Sequence, residues 1–150
     1  MNTDRIEKVT VLKAPRSRVW RAIAEAGEFG AWFGVQFEGD FAPGAHMQGR
    51  ITTPPDYAGM AFTFVVDRIE PEHHFSYRWH PYAVDPSVDY SGEPMTLVEF
   101  HLEEVAGGTR LTVVESGFDS IPAARRAEAL RMNTGGWEAQ VSNIERYVAG

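Results

Sequence analysis

Residues 119–150, DSIPAARRAEALRMNTGGWEAQVSNIERYVAG, decide the fold. Ala127, Leu130, Thr134, Trp137, Val141, Ile144 and Val148 recur at alternating spacings of three and four, and Arg125, Arg126, Glu128, Glu138, Asn143, Glu145 and Arg146 fall opposite them. That pattern predicts an amphipathic helix with one buried face. Ser120 offers an N-cap oxygen, and Pro122 sits in the first turn, where a missing N–H is harmless. A helix from Ile121 to Val148 would run roughly 40 Å at about 1.5 Å per residue, so it needs a long partner surface. Gly135 and Gly136 lie midway along it. Each costs about 1 kcal/mol relative to Ala in a helix interior, so the pair marks either a bend or a place where space is wanted.

The partner surface lies upstream. Arg5–Ala14 reads as a strand, rich in β-branched residues. Pro15 then opens a helix with Val19, Trp20, Ile23 and Ala24 on one face, and Glu28–Phe33 forms a second short helical piece among Gly27, Gly30 and Gly34. Strand-like runs follow at Val35–Glu38, His46–Thr53, Met60–Glu70, His73–Tyr82, Pro94–Val105 and Thr109–Phe118. Turns separate them at Ala42-Pro43-Gly44, Pro54-Pro55, Pro71-Glu72 and Ala106-Gly107-Gly108, and Ala83–Glu93 reads as loop. Consecutive strands joined by turns imply an antiparallel sheet, hence an α+β fold of a single domain over residues 1–150. One face of each strand is apolar, so a curved sheet of about six strands should wrap around the final helix.

Composition narrows the partners. The net charge of −7 and the pI near 5.2 argue against nucleic acid and against an anionic membrane surface. With no cysteine there is no disulfide, thiolate nucleophile or zinc–thiolate site. The polar start, Met1-Asn2-Thr3-Asp4-Arg5, does not read as a signal peptide, and no apolar run reaches membrane-spanning length, so a cytoplasmic location is expected.

The order of elements resembles the helix-grip fold of the SRPBCC (START, Bet v 1-like) superfamily, and within it the Hsp90 ATPase activator homologue (Aha-like) family. The residues that carry the resemblance are Ala14-Pro15, Val19-Trp20, Trp32-Phe33, Pro43-Gly44, Gly108-Thr109-x-Leu111-Thr112, Ser116-Gly117-Phe118, Gly136-Trp137 and Tyr147. The resemblance implies a cavity between sheet and long helix that holds an apolar or amphipathic ligand. It extends to a chaperone partner, Hsp90, only through the family name. Members include binders and cyclases, so the resemblance selects a fold and no single activity.

The candidate ligand-binding residues are Trp32, Phe33, Phe64, Tyr77, Trp79, Phe100, Glu115 and Trp137. The aromatic residues either pack as core or line a pocket; several Tyr and Trp together suit an amphipathic cavity, because their polar tips need partners when buried. Glu115 continues the inward face of Leu111 and Val113. An inward carboxylate must be paired, protonated or solvated. It is therefore a ligand anchor, a general acid/base of a cyclase- or dehydratase-type enzyme, or the partner of an arginine such as Arg50 or Arg78. His74 and His80 lie roughly 20 Å apart along one strand, too far to share an ion, and their face is expected to point outward; no metal and no cofactor is expected. Phosphate loops and nucleophile elbows are missing. A small-molecule binder, monomeric or weakly dimeric, is the resulting expectation.

Overall fold

Alternating apolar residues build a sheet of seven strands, one from each strand-like run. The computed structural model describes residues 3–85 and 87–149; Met1, Asn2 and Gly150, and Pro86 within the loop reading, lie outside the described residues. The strands are β1 (Arg5–Leu12), β2 (Val35–Glu38), β3 (His46–Ile51), β4 (Ala61–Glu70), β5 (His74–Trp79), β6 (Thr96–Val105) and β7 (Gly108–Ser116), and the helices are α1 (Arg16–Ala24), α2 (Ala26–Phe33) and α3 (Ala123–Ala149). The sheet is curved and antiparallel throughout, in the order β1-β7-β6-β5-β4-β3-β2. Only β1 leaves the order of the chain. It pairs with the last strand, so α1 and α2 must carry the chain from one edge of the sheet to the other.

The second short helix, expected over Glu28–Phe33, is longer and starts at Ala26. Gly27 and Gly30 lie inside α2. A Cβ on Gly30 would stand 2.1 Å from the Val35 carbonyl oxygen, so glycine is what lets α2 fold back on to β2. Phe29, projecting from α2, is fully buried. Its ring lies 4.8–6.4 Å, centroid to centroid, from those of Trp32, Phe33, Phe37, Phe41, Phe64, Phe75, Tyr77 and Phe100. Rings at such separations interlock in tilted and edge-on pairs, and they fill most of the space between helices and sheet.

Helix α3 begins later than its apolar stripe implied. A 3-10 turn, Phe118–Ser120, comes first, so Ser120 is not the N-cap. The Pro122 carbonyl receives the N–H groups of Arg125 and Arg126 and opens the helix. Ala129, Trp137, Ile144 and Val148 are buried, whereas Ala127 is exposed. The stripe shifts in the first turns because that end of α3 faces the 81–93 loop instead of the sheet. The Arg125 side chain donates to the Pro81 carbonyl at 2.8 Å and pairs with Glu93 at 2.7 Å, and its guanidinium lies 4.8 Å from the Tyr90 ring centre.

The helix is unbroken through Gly135 and Gly136. A Cβ at either would meet nothing within 4 Å. The pair therefore neither breaks the helix nor permits a close approach. Gly135→Ala is expected to stabilise the protein by about 1 kcal/mol, the helix-propensity difference, seen as a rise of about 2–4 °C in thermal unfolding. No rise would mean that the glycine serves the native backbone.

The face of the sheet turned away from α3 is not all solvent. His74 and Ser76, expected to point into water, are 6% and 0% exposed. They do lie opposite Phe75 and Tyr77, but neighbouring side chains of that outer face cover them: Ser76 Oγ donates to Asp67, and the His74 ring packs on that of His101 at 4.7 Å.

Candidate functional site

Glu115 is completely buried. It sits on β7 opposite Val98, which in turn is opposite Tyr77, so three inward side chains cross the sheet in one row. No arginine meets it. Arg50 donates to the Gly59 carbonyl, and Arg78 is exposed. The carboxylate instead accepts four neutral donors. Trp137 Nε1 and Asn133 Nδ2 reach Oε1 at 2.8 and 2.9 Å. Trp79 Nε1 and Thr96 Oγ1 reach Oε2 at 2.7 and 2.5 Å. Burial pushes the Glu115 carboxyl above its ordinary value, and these hydrogen bonds pull the other way. Trp and Asn can only donate here, which suits an ionised carboxylate with its lone pairs occupied.

This arrangement pins two indole rings by their N–H edges. Trp79 comes from the end of β5 and Trp137 from the middle of α3; their rings stand 5.9 Å apart, and each is 6.1 Å from Phe33. Above them opens a cleft of about 100 Å³, lined by Phe33, Trp79, Asn133, Gly136, Trp137 and Gln140. The bare Cα of Gly136 forms one wall, which is why a Cβ there meets nothing. Gln140 braces the far side by donating to the Phe33 carbonyl at 2.8 Å.

Trp79 and Asn133 also border a wider depression of about 440 Å³, whose other walls include Phe62, Thr63, His80, Tyr82, Tyr90 and Ser91. Among the described residues, no carboxylate, lysine or arginine lines either space. Two of the polar side chains that do line them offer acceptors. Asn133 turns its NH₂ on Glu115 and keeps its carbonyl oxygen free of that bond. His80 Nε2 lies 3.1 Å from the Glu93 carbonyl; a carbonyl cannot donate, so Nε2 carries the proton and Nδ1 is left as an acceptor.

Of the residues singled out from the sequence, Phe33, Trp79 and Trp137 come together at the cleft, with Glu115 directly behind them. Trp32, Phe64, Tyr77 and Phe100 lie deeper, packed in the core. Trp32 Nε1 is satisfied by the Ala22 carbonyl at 2.8 Å, and Tyr77 stacks on Phe64 at 4.1 Å. The Tyr77 hydroxyl has no partner among the described residues, and burial holds its pKa well above the usual value. Sequence reading passed over Asn133 and Thr96, which complete the carboxylate's shell, and over Arg125, which holds the loop. The spacing of α3 could have pointed to Asn133, four residues before Trp137 and so on the same face.

The family described as Activator of Hsp90 ATPase homolog 1-like protein matches residues 13–149. The chain belongs to this family. Among curated proteins none matches it. Solved structures agree on the fold. Protein MLL2253 from Mesorhizobium loti is 20% identical with a TM-score of 0.74, over 97% of this chain and 96% of its own. A protein from Arthrobacter aurescens is 16% identical with a TM-score of 0.79, over 99% and 89%. DynU16, from the dynemicin biosynthetic locus, is 25% identical with a TM-score of 0.72; the match covers 97% of this chain but 47% of DynU16. This family member has no helix, among the described residues, long and apolar enough to cross a membrane.

Proposed function

We propose that this protein binds a small, uncharged, ring-bearing molecule with hydroxyl groups, of polyketide or flavonoid type. One edge of a ring would enter the cleft between Phe33, Trp79 and Trp137, and the remainder would lie in the outer depression. The observation that carries this reading is the pair of indoles locked by one buried carboxylate beneath an uncharged opening. Rings fixed in advance lose little entropy on stacking, so they favour a flat ligand. The outer depression falls within the range of roughly 300–1,000 Å³ usual for small-molecule sites. The acceptors on its walls, Asn133 Oδ1 and His80 Nδ1, favour hydroxyl donors over carboxylates. The likeness to a protein of a biosynthetic locus supports a small organic ligand.

Binding is the simpler reading than catalysis. For Glu115 to act as a general acid or base, a substrate would have to displace a tryptophan or Asn133 from it, and Trp79 and Trp137 stand between it and the cleft. A chaperone partner has only the family's description behind it.

A panel of polyhydroxylated aromatic compounds with carboxylated analogues tests the proposal, read by thermal shift and by the indole N–H signals of the protein. Neutral compounds should raise the melting temperature by mass action and move the Trp79 and Trp137 signals; the carboxylated analogues should not. Gly136→Leu places a side chain in the cleft and should weaken binding by about tenfold or more (about 1.4 kcal/mol) without loss of fold. Undiminished binding in that variant, or ligand shifts confined to other residues, would sink the proposal.

A further inference from the structure

A second group of side chains lies on the opposite face of the sheet and takes no part in the cleft. His74 on β5 and His101 on β6 are register partners, and Glu99 precedes His101 by two residues on the same face. Pairs directly opposite and diagonal to one another on one face are the side chains that meet across a sheet. Here they converge. His74 Nδ1 and His101 Nδ1 are 3.3 Å apart. Glu99 Oε2 stands 3.6 Å from His101 Nε2 and 4.0 Å from His74 Nε2. One ligand atom from each of the three residues can be chosen so that all lie within 4.8 Å of one another.

These distances have a chemical reading. Two imidazole nitrogens on one tetrahedral Zn²⁺, each about 2.0–2.1 Å from the metal, stand about 3.3 Å apart. The histidine pair shows that separation between its Nδ1 atoms, whereas Glu99 stands nearest the Nε2 atoms. Glu99 is about three-quarters buried along its side chain and His101 about half exposed, so the carboxylate and the His101 ring would reorient to close the set, while His74, 7% exposed, is fixed. A pair of neutral histidines sharing one Nδ1–H···Nδ1 hydrogen bond, with the accepting ring's Nε2–H turned toward Glu99, is the alternative that zinc titration separates from a metal site.

We propose that His74, Glu99 and His101 form a site for a divalent transition metal of the zinc class, bridging β5 and β6. Two imidazoles and a carboxylate are a borderline donor set that suits Zn²⁺, Ni²⁺ or Cu²⁺ over Mg²⁺ or Ca²⁺. The surrounding depression, about 450 Å³ and also lined by Arg68, Glu70, His73, Glu103 and Arg110, leaves room for a fourth ligand such as water. Its two arginines do not oppose the cation strongly, since Arg68 is paired with Glu70 and Arg110 with Glu103.

The test is calorimetric titration of the protein, prepared without a histidine tag, with zinc chloride, and in parallel with cobalt chloride read by its visible ligand-field bands. One ion per chain should bind, with the spectrum of a four-coordinate site. His101→Ala changes a half-exposed residue and should leave the fold intact while weakening affinity by at least about tenfold; Glu99→Gln should weaken it in the same way. His46→Ala, which removes an exposed histidine from elsewhere in the chain, should leave zinc affinity unchanged. Absence of zinc binding, or binding indifferent to His101→Ala, would overturn the site.

Discussion

Glu115→Ala is expected to lower folding stability by about 3–5 kcal/mol, the cost of leaving several buried donors without an acceptor. The loss comes less from the missing carboxylate than from what remains. Trp79, Trp137, Asn133 and Thr96 each aim a donor at the same point. Without an acceptor these groups stay desolvated, and each such group costs on the order of 1–3 kcal/mol unless it rotates away. Urea unfolding measures the change. A loss under about 1 kcal/mol would mean that water reaches the donors and that the network is not dry. Because the indoles would come free of their anchor, the same variant should also bind ring-bearing ligands more weakly.

The pH dependence has a definite sign. Burial raises the carboxyl of Glu115 above its ordinary value of 4.5 in the folded state. Below pH 4.5 the group is protonated whether the chain is folded or not, and its contribution is fully present. As pH rises through the raised folded value, ionisation becomes easier in the unfolded chain, and stability falls before levelling off. Glu115→Gln removes this titration. The stability of the unmutated protein minus that of the variant should therefore decline with rising pH above 4.5. A difference that grows with pH would show that hydrogen bonding, and not desolvation, dominates at this carboxylate.

Phe29→Ala should cost a similar amount, about 3–5 kcal/mol, by opening a cavity at the centre of the aromatic core. The ring touches both the short-helix side and the sheet, through Trp32 and Phe33 on one hand and Phe64, Phe75 and Phe100 on the other. Its removal cannot be repaired by one neighbour alone. Against a total stability of roughly 5–15 kcal/mol for a domain, this loss should leave the variant partly unfolded at 37 °C by circular dichroism. Phe29→Leu, which keeps most of the volume, should cost much less. Equal losses in the two variants would argue that the ring's shape and not its volume holds the core.

Much of the architecture is legible in the pattern of residues. The alternation in 60–70 and 96–105 and the helical stripe in 119–150 depend only on which side chains avoid water, and that preference is local to each segment. The same alternation puts Glu115 inside, since it shares a face with Leu111 and Val113. Where local pattern conflicts with the tertiary setting, the setting prevails. Ala127 fits the stripe of α3 but faces solvent, because the helix leaves the sheet at that end and meets a loop held by Arg125. The glycine pair read as either a bend or a place where space is wanted; the helix runs on unbroken, and Gly136 walls the cleft.

By itself the sequence determined the α+β class and the inward carboxylate, because burial periodicity and turn residues act over a few neighbours at a time; the helix-grip fold and the family came through the resemblance of its motifs. Only the tertiary structure decided what surrounds that carboxylate. Its donors lie 18 to 36 residues away along the chain, on β5, β6 and α3. Strand register and helix rotation bring them together, and neither is written in any one segment. The long helix was expected to lie over an open cavity. Interlocked rings fill most of that space, and a cleft of about 100 Å³ remains where Gly136 has no side chain. Packing of distant segments set its size.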